Sequence, residues 1–137
     1  MTNPHASLAQ LFKLDELATE QVRPGFARTA LRSHHALTTV NWLEPGYRSL
    51  GQHTHPFDQI SYVVSGTMRF FLGDETVDVV APGAVYIPGE LPHGGETVGT
   101  ERVLNIDIFA PLRQDYLRLC VNQDEFFEVD SSASNAG

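Results

Sequence analysis

Between residues 26 and 109 the chain alternates apolar and polar positions in short runs, broken repeatedly by glycine, proline and acidic residues. The runs 26–33, 35–43, 58–64, 67–72, 76–80, 84–87 and 102–109 are rich in Val, Ile, Phe, Tyr and Thr, side chains that pack well on a pleated surface. Between them stand "EPG", "SG", "LGDE", "APG", "IPGELPHGG" and "TVGT", which turn the chain rather than continue it. Many short strands without an intervening helical period predict an all-β sandwich or barrel. Only "PLRQDYLRL" at 111–119 carries a helical pattern after the strands, and it predicts a short C-terminal helix.

The ends read differently. Residues 1–24 form an N-terminal extension with two readings. Ser7 and Gln10 have capping-box spacing, with Leu8, Leu11, Phe12 and Leu17 along one helix face; alternatively the segment is a surface arm stopped by "VRPG". The barrel domain is assigned to 25–119. Residues 120–137 form an acidic tail whose last residues, small and polar, predict disorder.

Composition narrows the class. Of the 137 residues, 42% are hydrophobic and 19% charged, which suits one globular domain with a core of its own. No apolar run approaches the roughly 20 residues of a spanning helix, and no secretory leader pattern opens the sequence. Asp and Glu outnumber Lys and Arg 17 to 9, and the nine basic residues are scattered. That field disfavours nucleic acid and anionic membrane and points to a small-molecule partner. A single cysteine, Cys120, makes a reducing cytoplasm the expected compartment.

The chemistry concentrates in "GQHTHPFDQISYVVSG", residues 51–66. On an extended chain His53 and His55 point to one face about 7 Å apart, and Phe57 and Gln59 share their parity. His93 arrives from the proline- and glycine-bounded turn "IPGELPHGG". Two imidazoles in HxH spacing, a third from elsewhere and an oxygen donor suit a divalent transition metal. The remaining histidines carry less. His5 lies in the extension, and His34 and His35 straddle both faces of a strand, so at most one could enter a site.

With this spacing the stretch from His53 through Gln59 to Gly66 resembles the first motif of the cupin superfamily. "PGAVYIPGELPH", residues 82–93, resembles the second. The segment departs from the family pattern in three ways: it is one residue short between Gly83 and Pro88, Glu90 stands where glycine is common, and no asparagine follows His93. The resemblance implies a double-stranded β-helix (jelly-roll) barrel and a homodimer. It also implies one divalent metal (Zn, Ni, Fe, Mn or Co) on His53, His55, Gln59 and His93. A glutamine in place of glutamate raises the charge of such a site from about +1 to about +2, favouring Lewis-acid work on a carbonyl or alkoxide.

A second group lies on "RVLNIDIFAPLRQDYLRL". Asn105, Asp107 and Phe109 share a face, and Arg113 follows Pro111. Spacing alone leaves open a structural Asp107–Arg113 ion pair or a catalytic acid. The segment resembles that of the KdgF-like pectin-degradation cupins, which convert ring-form unsaturated uronates to linear ketouronates, although Ala110, Leu112 and Gln114 depart from it. That resemblance implies active-site roles for Asp107 as acid or base, Arg113 as carboxylate clamp and Phe109 as wall. The outward set Ile60, Tyr62 and Val64 is expected to form a second core layer or a dimer face, and Tyr86 could add to an apolar wall. Two other functions compete: an iron dioxygenase or natural-product cyclase of the same superfamily, and a non-catalytic metabolite-binding cupin.

Overall fold

The alternating runs become strands with nearly the expected limits. The computed structural model describes residues 9–123, and among them the strands are β1 (Glu20–Arg23), β2 (Phe26–Arg32), β3 (Leu37–Leu43), β4 (Gln59–Ser65), β5 (Thr67–Leu72), β6 (Glu75–Val80), β7 (Gly83–Ile87), β8 (His93–Val98) and β9 (Val103–Phe109). Two of these, β1 and β8, have no counterpart among the expected strands. The β1 segment is short and sits at a sheet edge, and β8 carries Gly94 and Gly95, which read locally as a turn.

One sheet has the order β1-β2-β3-β9-β4-β7 and the other β6-β5-β8, with every neighbouring pair antiparallel. The large sheet gives Leu43, Val63, Ile87 and Val103 to the shared core, the small sheet Met68, Phe70 and Val79, and Tyr47 joins them from the connecting loop. Each such side chain taken fully from water contributes about 1.5–3 kcal/mol. Gly66 ends β4 at φ 76°, and a Cβ there would lie 2.8 Å from Val103 Cγ2, so the turn into β5 needs the bare backbone.

A second cluster unites Ala30, Leu37 and Phe109 with Leu117, Leu119 and Cys120. It holds the predicted C-terminal helix, which forms as a six-residue 3₁₀ helix, Gln114–Leu119. Packing continues beyond it. The Gln123 side chain accepts from the Arg32 N–H at 2.8 Å and donates to the Arg32 carbonyl at 2.9 Å. At the other end, residues 20–23 of the expected extension pair with β2 as β1. The capping-box residue Ser7, His5 and the predicted disordered tail fall outside the described residues. No helix among the described residues is long and apolar enough to cross a membrane.

The expectation of a second core layer over β4 is overturned. Ile60, Tyr62 (41% exposed) and Val64 form an open stripe with Tyr86 of β7. Nothing among the described residues covers it, because both sheets turn their other faces to the core. His34 and His35 lie exposed in the turn between β2 and β3, and neither lines the cavity that holds the other described histidines.

Candidate metal centre

The loop from β3 to β4 does not wander; it runs beside β8 as an irregular extra strand. The Thr97 N–H donates to the Tyr47 carbonyl at 3.0 Å and the Ser49 N–H to the Gly95 carbonyl at 3.0 Å. His53 and His93 then exchange both backbone hydrogen bonds, at 2.9 and 3.0 Å. This pairing sets two histidines distant in sequence side by side, and the HxH alternation adds His55. Ring centroids stand 4.4 Å apart for His53–His93, 4.7 Å for His55–His93 and 5.7 Å for His53–His55. The nitrogens that could ligate all lie within 4.8 Å of one another.

The surroundings prepare these rings as ligands. Nδ1 of His55 lies 2.8 Å from the Phe57 carbonyl, and Nδ1 of His93 lies 2.9 Å from the Leu91 carbonyl. A carbonyl only accepts, so both Nδ1 atoms carry the proton and both Nε2 atoms keep a lone pair for a metal. The turn supplying the second carbonyl packs tightly on the first histidine. The Glu90 N–H donates to the His55 carbonyl at 2.8 Å, and a Cβ on Gly89 would lie 2.5 Å from the Pro56 carbonyl oxygen. Glu90, the residue in a common glycine position, takes φ 70°, a backbone shape that glycine adopts without strain.

Protonation is disfavoured as well. Burial, then the charges His93 and His55 would carry, push the His53 pKa down to about 4, with smaller effects from Arg113 and Arg23. His53 stands at the open end of the group, so solvent tempers this effect. Burial also lowers His93, although the bond to the Leu91 carbonyl works against it. Gln59 is 7% exposed and lines the same cavity, and its side-chain amide has no protein hydrogen bond among the described residues. Three clustered imidazoles, two of them with the tautomer fixed, and a free amide oxygen form a donor set that fits a divalent transition metal.

The cavity holds about 450 Å³ and extends from the histidines into the barrel. Asp107 lines its wall within a polar network contributed by β3, β4 and β9. Ser61 donates to Asp107 Oδ1 at 2.5 Å, while Thr39 Oγ1 and Asn41 Nδ2 donate to Oδ2 at 3.3 and 3.2 Å. Asn105 Nδ2 donates to Ser61 Oγ at 2.7 Å, which leaves the Ser61 proton directed at the carboxylate. Burial raises the Asp107 pKa, and these hydrogen bonds oppose the rise. Thr39, Asn41, Ser61, Asn105 and Asp107 thus satisfy one another within the network, while the Gln59 amide remains open to the cavity.

The ion pair left open by spacing does not form. Arg113 instead gives Nε–H and an Nη2–H to the two oxygens of Asp115, at 2.9 and 3.1 Å. It is 7% exposed, and its guanidinium lies 3.6 Å from the Tyr116 ring centroid and 4.8 Å from that of Phe109. The fork expected to clamp a carboxylate is thus engaged by Asp115. Phe109, buried edge-on to His55 at 6.1 Å, walls the same end. Tyr62 and Tyr86 lie outside.

Sequence reasoning missed Thr39, Asn41 and Ser61. Their signal was available: Thr39 and Ser61 stand in register with Asp107, and Asn41 with Asn105, on the parity that faces inward. Arg23 and Tyr47, which also line the cavity, had no such signal, because they come from an edge strand and a loop.

The Cupin_2 family pattern, a cupin domain, matches residues 42–109. No curated protein matches the chain. Among solved structures, KdgF from Halomonas sp. is similar at 28% identity over 79% of this chain and 100% of that one, with a TM-score of 0.69. An RmlC-like cupin from Shewanella frigidimarina is 24% identical over 75% of this chain and 91% of its own, with a TM-score of 0.66. Oxalate decarboxylase of Bacillus subtilis, whose structure is described through its Mn(II) centres, shares the fold at 21% identity, with a TM-score of 0.64, over 73% of this chain and 29% of that one. With its two facing antiparallel sheets and its histidine triad at the barrel mouth, this chain belongs to the cupin superfamily and resembles KdgF.

Proposed function

We propose that the protein is a metal-dependent enzyme of Lewis-acid type, and that its substrates are unsaturated uronates, converted from ring to linear form. The observation that carries this reading is the pairing of a neutral donor set with a buried, protonatable carboxyl on one cavity. His53, His55, His93 and Gln59 would hold the metal, which when bound supplies Lewis acidity toward a sugar oxygen. The similarity to KdgF supports the substrate class.

The chain's own residues would handle the proton. Asp107, made more basic by burial, accepts the proton of the ring hydroxyl as the ring carbon–oxygen bond breaks. It returns that proton to the carbon that becomes saturated, so the reaction is an isomerisation with no atom gained or lost. Ser61, Thr39 and Asn41 stabilise the carboxylate between the two transfers. Phe109 and the stacked Arg113 close one end of the cavity and keep the sugar against Asp107.

The test is to load the protein with each candidate metal and follow the ultraviolet absorbance of an unsaturated uronate, with dissolved oxygen recorded in parallel. Loss of absorbance without oxygen consumption is expected. Oxygen uptake in step with substrate loss would favour a dioxygenase, and tight binding with no turnover of any uronate would favour a binding module.

A further inference from the structure

The cavity contains more positive charge than the metal centre and Asp107 require. Arg23, Arg28 and Arg113 all line it, and among the described residues Asp107 is its only acidic lining residue, in a chain whose formal charge is −8. Two of the arginines are already matched: Arg113 by Asp115, and Arg28 by Glu20 at 3.2 Å. Arg23 has no carboxylate partner among the described residues. Its one side-chain hydrogen bond runs from Nη1 to the Tyr47 hydroxyl oxygen, at 2.8 Å.

The fold places this arginine deliberately. In a regular strand Val22 and Arg23 would face opposite sides, but the pairing of β1 with β2 shifts register between Gln21 and Arg23, and both side chains line the cavity. The Phe26 ring supports the guanidinium from 5.7 Å and packs edge-on against Tyr47 at 5.5 Å. Tyr47 is 8% exposed and accepts from Arg23, so its own O–H remains to be donated. Arg23 keeps four of its five N–H groups. A guanidinium fork beside a phenolic donor, opening onto the cavity that holds His53, recognises a planar anion by charge and by shape.

We infer that Arg23 and Tyr47 form the carboxylate-binding subsite of this cavity, so that the substrate's acid group lies against β1 and the loop after β3 rather than on Arg113. This rests on the reading that the substrate is a uronate. It identifies two specificity-determining residues and explains why the N-terminal edge strand belongs to the site: without β1 the cavity loses its uncompensated charge.

The test uses the full chain loaded with zinc, with galacturonate and neutral galactose as probes in titration calorimetry. Wild type should prefer galacturonate. In Arg23→Gln its affinity should fall about 10- to 100-fold, the range for losing charge-assisted hydrogen bonds, with galactose binding unchanged. Arg23→Lys should recover part of the loss, since charge returns without the fork, and Tyr47→Phe should cost less than Arg23→Gln. Metal content and thermal midpoint, equal to wild type and to the surface control Arg102→Gln, separate this from misfolding.

Galacturonate affinity within about twofold of wild type in Arg23→Gln, or no preference for the acid over the neutral sugar in wild type, overturns the inference. With unsaturated uronates, Arg23→Gln should raise KM far more than it lowers kcat. If wild type turns over no uronate yet binds galacturonate through Arg23, the linearisation reading fails and the subsite stands. If turnover is present and KM is indifferent to Arg23, the subsite fails alone.

Discussion

The two sheets face one another with unlike inner surfaces. The six-stranded sheet turns Thr39, Asn41, Gln59, Ser61, Asn105 and Asp107 inward, and leaves Ile60, Tyr62 and Val64 on its outside. The three-stranded sheet presents Met68, Phe70 and Val79 to the same interior and reserves polarity for His93 at one end. Around Asp107 the large sheet thus inverts the usual strand pattern, although Leu43, Val63, Ile87 and Val103 still point into the core, and the small sheet obeys the pattern. Inversion is tolerable there because Thr39, Asn41, Ser61, Asn105 and Asp107 hydrogen-bond to one another, which offsets the desolvation cost that lone groups would carry. The small sheet supplies packing, the large sheet supplies the chemistry, and His93 is where they meet.

Breaking that meeting point should have the largest effect. His93→Ala removes a ligand and the partner ring of His53, and should lower metal affinity by more than the roughly 10- to 100-fold that loss of an outer hydrogen-bond partner costs. Metal analysis after dialysis measures it, and full retention of metal would remove His93 from the centre. Next comes the chemistry of the large sheet. Asp107→Asn should lower turnover by about 10²- to 10⁴-fold with metal content unchanged; loss of metal or of fold would assign Asp107 a structural role.

The small sheet should answer in stability. Phe70→Ala leaves a cavity in the apolar floor and should cost about 3–5 kcal/mol in denaturant unfolding. A cost below that of a surface substitution would show that the floor is not load-sharing with the core. The subtlest contrast is the pH dependence of the metal-free chain. The folded His53 pKa of about 4 lies below its unfolded value, so the unfolded chain binds the proton first and stability falls as pH drops from about 6.5 toward 4. Asp107, raised by burial, acts in the opposite sense: the folded carboxyl holds its proton longer, and that contribution is lost as pH rises through its folded pKa. Unfolding midpoints in chelator at about pH 5.5 and 7.5 should show a decline on acidification that shrinks in His53→Gln. An unchanged slope would mean that solvent, not burial, sets the His53 pKa.

Much of the architecture could be read locally. The seven runs found by alternation became β2–β7 and β9, because period-2 patterning and turn residues act over a few neighbours. The parity of His53, His55 and Gln59 was likewise readable. The pairing strands of lowest local signal were not: β8 forms because β5 and the loop carrying Ser49 hold its glycines, and β1 forms because β2 offers an edge. The 3₁₀ form of the C-terminal helix was also not readable from its pattern, nor was the docking of Leu117 and Leu119 in one cluster with Phe109.

By itself, then, the sequence determined a β-barrel with histidines at ligand spacing and an aspartate at an inward register, all properties of residue type and periodicity. Tertiary structure decided what those residues became. It set His53 opposite His93, fixed the tautomers of His55 and His93 through carbonyls two residues away, and enclosed Asp107 with donors from two neighbouring strands. It also gave Arg113 to Asp115 and left Arg23 without a carboxylate. Those outcomes depend on which chain segments meet, and hydrogen-bond partners and desolvation exist only once they do.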